Sequence, residues 1–115
     1  MIRRLHTGPR MSQAVIHGAT VYLAGQVADD PSQDVAGQTR QILASIDRLL
    51  DAAGADKTRI LSATIYLAEI GTFAQMNSVW DTWVPQGHTP ARATVEAKLA
   101  APVYKVEIQV IAALR

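Results

Sequence analysis

The sequence contains no cysteine, few aromatic residues and no excess of charge of either sign. The absence of cysteine excludes disulfide bonds, thiolate metal ligands and cysteine nucleophiles. Eleven basic side chains against ten acidic ones leave a net charge of +1. The basic stripe that is typical of nucleic-acid binding is therefore missing, and we expect no nucleic-acid partner. Hydrophobic residues make up 49% of the chain but aromatic ones only 5%, which indicates a core of small aliphatic side chains.

Long apolar runs are missing as well. No stretch approaches the roughly 20 residues that a transmembrane helix requires. The first residues, Met1 to His6, lack the apolar segment of a signal peptide. We therefore expect a soluble, cytoplasmic protein without a membrane partner. The length of 115 residues is close to the commonest domain size, so we expect residues 1–115 to form one domain.

Hydrophobic periodicity predicts five strands and two helices. Apolar residues at spacings of three and four from Val35 to Ala53 indicate a long helix, and Gly54 stops it because glycine tolerates a left-handed conformation. A second helix over 73–84 begins after its capping residue, Thr72. The strands are 12–16, 20–24, 60–68, 90–96 and 104–110, of which 60–68 looks buried on both faces. This order predicts an α+β fold of two layers, with a mixed sheet covered on one face by both helices.

The last two predicted strands carry the charged residues of greatest interest. Along 90–96 and along 104–110, polar and apolar residues alternate with a period of two, as in a sheet with one apolar and one polar face. We expect these two strands to pair, so that Arg92, Thr94 and Glu107 share one face. No helix is left to cover that face, and we infer that another subunit covers it.

Each of these charges has a functional and a structural interpretation. The planar guanidinium of Arg92 can bind a substrate carboxylate through two parallel hydrogen bonds, or it can form a cross-strand ion pair with Glu96 or Glu107. Glu107 can position a water molecule and transfer protons, or it can be the other half of that ion pair. Asn77 lies beside the apolar stripe of the second helix and needs a partner, for which a structural hydrogen bond is the commoner outcome.

Neither a metal nor an organic cofactor is expected. His6, His17 and His88 fall in predicted turns or termini, and no pair of them has the spacing of metal ligands. Gly25 follows a strand alone, without the glycine-rich pattern of a nucleotide site.

Several segments together resemble one known family. They are Val21-Tyr22-Leu23-Ala24-Gly25-Gln26, the helix end Ala52-Ala53-Gly54, Phe73-Ala74-Gln75-Met76-Asn77, Pro90-Ala91-Arg92 and Val106-Glu107-Ile108. In this combination the chain resembles the Rid (reactive intermediate deaminase, YjgF-like) family over nearly its whole length. The Trp80-Asp81-Thr82-Trp83-Val84 and Gly87-His88-Thr89-Pro90 segments look most like its YoaB-like branch.

The resemblance implies a chorismate-mutase-like fold, a homotrimer and a cleft between each pair of neighbouring subunits. It also implies hydrolysis of 2-imino acids to 2-keto acids and ammonia, as in a 2-iminobutanoate/2-iminopropanoate deaminase, without a cofactor. By this resemblance Arg92 holds the substrate carboxylate and Glu107 works with a bound water. Gly25 contributes backbone contacts, and Asn77 lies in the wall of the cleft.

Three further positions of the implied substrate site depart from the family pattern. Thr94 stands where a cysteine is common, Ala24 where a serine is frequent, and Met11 where a tyrosine often lines the mouth. These changes leave the hydrolytic chemistry in place but alter the groups that would touch substrate. Ala24 and Met11 favour an alternative function, in which a trimer binds or senses 2-keto or other small carboxylic acids without turnover. Cleavage of RNA is a weaker alternative, given the balanced charge.

Overall fold

The computed structural model describes residues 1–115 and contains six β-strands and two α-helices. In chain order the elements are β1 Ile2–Thr7, β2 Ser12–His17, β3 Thr20–Leu23, α1 Val35–Ala53, β4 Ile60–Leu67, α2 Phe73–Trp83, β5 Ala91–Glu96 and β6 Val106–Ala113. Short 3-10 turns precede β4 and α2, at Lys57–Arg59 and Ile70–Thr72.

Most of the predicted elements are present, with one omission. Strand β1 was not predicted, because consecutive charged residues, Arg3 and Arg4, break the apolar alternation that identifies a strand. Five of its six residues are exposed, as is common for a strand at the edge of a sheet. Strand β6 begins and ends two to three residues later than the predicted range 104–110.

All six strands form one mixed sheet in the order β1-β2-β3-β6-β4-β5. Strands β4 and β5 are parallel, and every other neighbouring pair is antiparallel. The predicted pairing of the two charged strands is therefore wrong, because β4 lies between β5 and β6. The physical reason is the α2 crossover: a helix that joins two strands returns the chain parallel to its starting strand.

Both helices lie on the same face of the sheet, which confirms the predicted two-layer α+β arrangement. A cluster of 23 buried residues fills the space between the layers. In β4, Ala63, Ile65 and Leu67 point into this core, whereas Ser62 and Tyr66 on the other face stay half-buried. The expectation that β4 is buried on both faces is thus wrong for the single chain. None of the helices combines the length and apolar character needed to cross a bilayer.

Helix α1 is bounded by residues whose roles follow from their chemistry. Asp34 accepts a hydrogen bond from the Gly37 backbone N–H at 2.8 Å, so its side chain caps the first turn. At the other end Gly54 has φ of 90°, the left-handed conformation predicted for it. In the loop before the helix, hydrogen bonds from Ser32 hold the pKa of Asp30 below its ordinary value.

A buried glutamine ties the start of α1 to the segment that leads into β6. Gln38 is completely buried, and its Nε2 donates to the carbonyls of Pro31, Gln33 and Val103 at 3.0 to 3.1 Å. Its Oε1 accepts from the Lys105 backbone N–H at 2.9 Å. One amide group therefore fixes the approach to the strand that carries Glu107.

Candidate functional site

The two charged residues singled out in the sequence lie on opposite faces of the sheet. Arg92 is level with Ala63, whose side chain is in the core, so Arg92 is on the helix-covered face. Glu107 is level with Tyr66, so it is on the open face. Side chains along a strand alternate in direction, and residues level with each other on neighbouring strands share a face.

Arg92 and Glu107 are also separated within the plane of the sheet. Two strand spacings and a stagger of three residues place their Cα atoms on the order of 14 Å apart. The predicted single polar face with Arg92, Thr94 and Glu107 is therefore wrong. Within one chain these residues form two half-sites, which we call the arginine half-site and the glutamate half-site.

The arginine half-site lies between β5 and α2. Arg92 Nη1 donates a hydrogen bond to Asn77 Oδ1 at 2.8 Å. Its guanidinium carbon lies 5.6 Å from the ring centroid of Phe73 and 5.3 Å from that of Trp80. Both distances are within the range of cation–π attraction. One polar bond and two aromatic rings thus hold the guanidinium in place.

The guanidinium has no acidic partner within the chain. Both ion pairs of the structure involve Arg115, so the alternative in which Arg92 pairs with Glu96 or Glu107 is wrong. Glu96 instead accepts a hydrogen bond from the Ile70 backbone N–H at 3.0 Å. Most of the five N–H donors of the Arg92 side chain therefore remain free for an external carboxylate.

Thr94 adds a second polar group to this half-site. It lies two residues after Arg92 and points to the same face of β5. Its Oγ1 is buried and has no hydrogen-bond partner in the protein. Buried hydroxyl groups are nearly always satisfied, so the unpartnered Thr94 hydroxyl is an exception that lies beside the arginine half-site.

Phe73 and Trp80 contact Arg92, which sequence reasoning did not predict. The apolar spacing along this helix indicates core residues, which is confirmed for Trp80, 4% exposed, and wrong for Phe73, 40% exposed. Together with Asn77 they recur at spacings of four and three along α2, which places all three on one helix face. That spacing was visible in the sequence, but nothing in it indicated which strand this face would meet.

The glutamate half-site brings Glu107 against Gly25. A Cβ built on Gly25 would overlap Glu107 Oε2 and lie 2.9 Å from Cδ. Reciprocal hydrogen bonds of 2.8 and 3.1 Å join the backbones of Gln26 and Ile108, and they hold the Gly25 segment against β6. The Glu107 carboxylate itself has no hydrogen bond or ion pair with the protein, so it is free to bind water.

Ala24 and Met11 lie near the same end of the sheet. The Ala24 backbone N–H donates to the Gln13 carbonyl at 2.9 Å, and this contact places the β1–β2 turn beside the Gly25 segment. Met11 is in that turn, with 49% of its surface exposed. A groove of about 550 Å³ lies between the Gly25 segment and α1, and none of Glu107, Ala24 and Met11 lines it.

The histidines do not assemble into a metal or acid–base site. His6 and His17 belong to β1 and β2, which corrects their assignment to turns or termini, and His88 lies in the turn after α2. The structure contains no group of three or more His, Cys, Asp or Glu side chains that could hold a metal ion.

The contact between Gly25 and Glu107 leads to a prediction. We expect Gly25→Ala to displace the Glu107 carboxylate, because the new methyl group occupies its position. The backbone at Gly25 is not in a left-handed conformation, so stability should change by less than about 1 kcal/mol. Crystallography of the variant would show the rotated carboxylate, and Gly71→Ala, which adds a methyl group in open space, is the control. An unmoved Glu107 would refute the steric interpretation.

Comparison with known proteins identifies relatives over the whole chain. The family model described as Endoribonuclease L-PSP matches residues 1–114. The RutC family protein YoaB of Escherichia coli is 46% identical over 113 residues, covering 98% of each chain. The 2-iminobutanoate/2-iminopropanoate deaminase of Rattus norvegicus is 36% identical over 107 residues, which are 88% of this chain and 77% of the rat protein.

A solved structure agrees with the fold described above. A member of the YjgF protein family from Neisseria meningitidis superimposes with a TM-score of 0.98 at 47% identity, covering 100% of this chain and 96% of that one. The six-stranded mixed sheet with two helices is therefore a YjgF-type α+β fold. The chain belongs to the Rid (YjgF-like) family, as its segments indicated.

Proposed function

We propose that this protein hydrolyses 2-imino acids to 2-keto acids and ammonia in a cleft between two copies of the chain. The observation that carries the proposal is the state of Arg92. Its guanidinium is fixed by Asn77 and two aromatic rings, yet it has no acidic partner. An immobilised and unpaired guanidinium is well suited to bind a small carboxylate through two parallel hydrogen bonds.

A second protomer is needed because of where the half-sites lie. One substrate cannot contact Arg92 and Glu107 of the same chain, since they are on opposite faces of the sheet. The arginine half-site of one copy can face the glutamate half-site of the next only in an assembly. A closed ring of three copies would form three such clefts.

Features of the sheet support self-association. Strand β5 is at an edge of the sheet, where it presents unpaired backbone groups. The open face exposes apolar side chains, including Tyr22, which is 45% exposed, and Val95, which is 43% exposed. Half-buried Ile111 and Tyr66 extend the same surface. These side chains form two neighbouring pairs, Tyr22 with Ile111 and Tyr66 with Val95, and exposed apolar surface is typical of a protein interface.

The reaction requires little beyond positioning and proton transfer. As the oxygen of a water molecule bonds to the carbon of the protonated imine, Glu107 takes a proton from that water and the C=N electron pair moves to nitrogen. Glu107 then returns the proton to the nitrogen of the resulting amino alcohol. The C–N bond breaks, ammonia leaves, and the hydroxyl proton passes through Glu107 to solvent as the keto group forms. General acid–base help of this kind typically contributes about 10² to 10⁴ in rate.

Other residues of the two half-sites would determine which imino acid is accepted. The unpartnered Thr94 hydroxyl lies two residues from Arg92 and could bond to substrate. Gly25 offers backbone groups beside Glu107, while Ala24 and Met11 line the approach without a polar side chain. The 2-iminobutanoate/2-iminopropanoate deaminase of Rattus norvegicus, which is 36% identical to this chain, supports this reaction class.

A second candidate function is the binding of 2-keto or other small carboxylic acids without turnover. It uses the same Arg92, and it is favoured by Ala24 and Met11, which lack the hydroxyl and phenol frequent at these positions. Ribonuclease activity, named in the description of the family model, is a weaker candidate because the net charge is only +1.

The Arg92→Ala variant tests the proposal. We expect the wild-type protein to accelerate keto-acid formation when an amino-acid oxidase or threonine dehydratase generates the imine in the same solution. Loss of a bidentate charged interaction should lower kcat/KM about a hundredfold or more. The appearance of 2-keto acid and ammonia is measured with the imine-forming enzyme held constant.

Arg40→Ala, an exposed arginine on α1, is the matched control and should keep full activity. Light scattering of each variant is the check that all of them assemble to the same extent as the wild-type protein. Full activity in Arg92→Ala would refute the carboxylate anchor. Calorimetric binding of 2-ketobutyrate to wild-type protein without any acceleration would instead establish the non-catalytic alternative.

A further inference from the structure

A separate hollow lies at the end of the sheet where β4 and β5 finish. Its volume is about 300 Å³, at the lower limit of typical small-molecule sites. The start of α1, the start of α2 and the segment before β6 enclose it. Its polar lining consists of Asp34, Glu69, Thr72, Gln75 and Lys105. Neither Arg92 nor Glu107 lines it, so it is distinct from both half-sites.

The hollow is lined by two opposite charges, those of Lys105 and Glu69, which form no ion pair with each other. Lys105 Nζ donates to the Gln33 carbonyl at 3.3 Å and forms no ion pair. The Glu69 side chain accepts no hydrogen bond and forms no ion pair either. An ammonium and a carboxylate therefore line one open hollow, in which Glu69 is exposed and Lys105 half-buried, and both keep capacity for an external partner.

Of the remaining polar groups, some form hydrogen bonds within the protein and others do not. Asp34 caps α1 by accepting a hydrogen bond from the Gly37 backbone N–H through Oδ1, and its negative charge and second carboxylate oxygen remain. The hydroxyl of Thr72 donates to the Glu69 carbonyl at 2.6 Å and can still accept a hydrogen bond. The side-chain amide of Gln75 has no partner in the protein. The hollow is thus lined by one cation, the two carboxylates of Asp34 and Glu69, one hydroxyl acceptor and one free amide.

We propose that this hollow binds a small zwitterionic α-amino acid. Lys105 would pair with its carboxylate and Glu69 with its ammonium group, while Gln75 and Thr72 would supply hydrogen bonds. A simple amine would pair only with the carboxylates and a simple carboxylic acid only with Lys105, whereas a zwitterion can pair with both signs of charge at once. A space of this size corresponds to about ten water molecules, which suits an amino acid with a short side chain.

The test is an NMR titration of the assembled, ¹⁵N-labelled full chain with L-alanine, propionate and ethylamine in parallel. We expect L-alanine to shift the backbone amides of residues 69–75 and 102–105 in a saturable manner. Propionate and ethylamine, which each lack one charge, should bind at least tenfold more weakly. Equal affinity for either one would overturn the zwitterion assignment, and unshifted amides with all three ligands would overturn the site.

Variants separate this site from the proposed catalytic one. Lys105→Met and Glu69→Gln should each weaken L-alanine binding at least tenfold, while Lys57→Met and Asp81→Asn, charges elsewhere on the surface, should leave it unchanged. Arg92→Ala should lower kcat/KM for imine hydrolysis about a hundredfold or more yet retain L-alanine binding. Loss of binding in Arg92→Ala would place the amino acid in the arginine half-site and refute this proposal, whereas the proposed function would stand.

Discussion

Glu107→Gln should lower the rate of imine hydrolysis about 10²- to 10⁴-fold, the contribution typical of one general acid–base group. The substitution keeps the size and shape of the side chain, so its packing against Gly25 is preserved. It removes the ability to take a proton from water. Because Arg92 is untouched, affinity for a 2-keto acid should change little. Steady-state kinetics with an imine-generating enzyme, together with calorimetry of 2-ketobutyrate binding, measures both quantities.

Asp81→Asn is the control for Glu107→Gln. It removes an exposed carboxylate from α2 that forms no hydrogen bond or ion pair, and it should retain wild-type kinetics. Undiminished turnover in Glu107→Gln would show that another group activates the water. A variant that loses keto-acid affinity in proportion to rate would show that Glu107 contributes to binding instead.

The largest expected loss of stability is that of Gln38→Leu. Leucine has a similar volume but cannot bond to the Lys105 N–H or to the carbonyls of Pro31, Gln33 and Val103. A polar group that stays buried without a partner costs about 1 to 3 kcal/mol, and four hydrogen bonds are lost here, so we expect a loss of about 3 kcal/mol. Urea denaturation at a fixed protomer concentration measures the change in midpoint, since assembly makes apparent stability concentration-dependent.

Gln86→Leu provides the comparison for Gln38→Leu. Gln86 lies exposed in the turn after α2, and its substitution should change stability by less than about 0.5 kcal/mol. A loss below about 1 kcal/mol in Gln38→Leu would mean that water or relaxed backbone takes over the amide's partners.

Local structure was largely predictable from the sequence. The apolar spacing from Val35 to Ala53 and the glycine at position 54 define α1 closely, because helix periodicity and the left-handed end are local properties. Strand β1 was not predicted because its pairing with β2 stabilises it, whereas its own sequence lacks the apolar alternation of a strand. Such tertiary stabilisation leaves no pattern within six residues.

Strand neighbours were not predictable in the same way. Alternation correctly separated Arg92 and Thr94 from Ala93 along one strand, and Glu107 from Ile108 along the other. It does not indicate which strand lies beside which, nor which side of each strand meets the helices. Only the α2 crossover decides that β5 joins the outer side of β4. For this reason the right residues were singled out but assigned to one face.

The candidate site also has features that the sequence predicts, namely its residues, and features that it does not, namely their partners. Arg92, Glu107 and Asn77 stand out by their positions in the predicted strands and helix, and the family resemblance adds a role for each of them and for Gly25. The structure pairs Arg92 with Asn77 and Glu107 with Gly25. The aromatic rings beneath the guanidinium were not foreseen, since a residue's membership of an apolar stripe says nothing about its partners.

The placement of arginine and glutamate on the two sides of one sheet has a genetic consequence under the proposed ring. Every copy would contribute to two clefts, with its Arg92 in the cleft shared with one neighbour and its Glu107 in the cleft shared with the other. A copy with a substitution at position 92 would still contribute an intact Glu107. A copy with a substitution at position 107 would still contribute an intact Arg92. Two alleles that are each inactive alone would then restore some working clefts when their products assemble together.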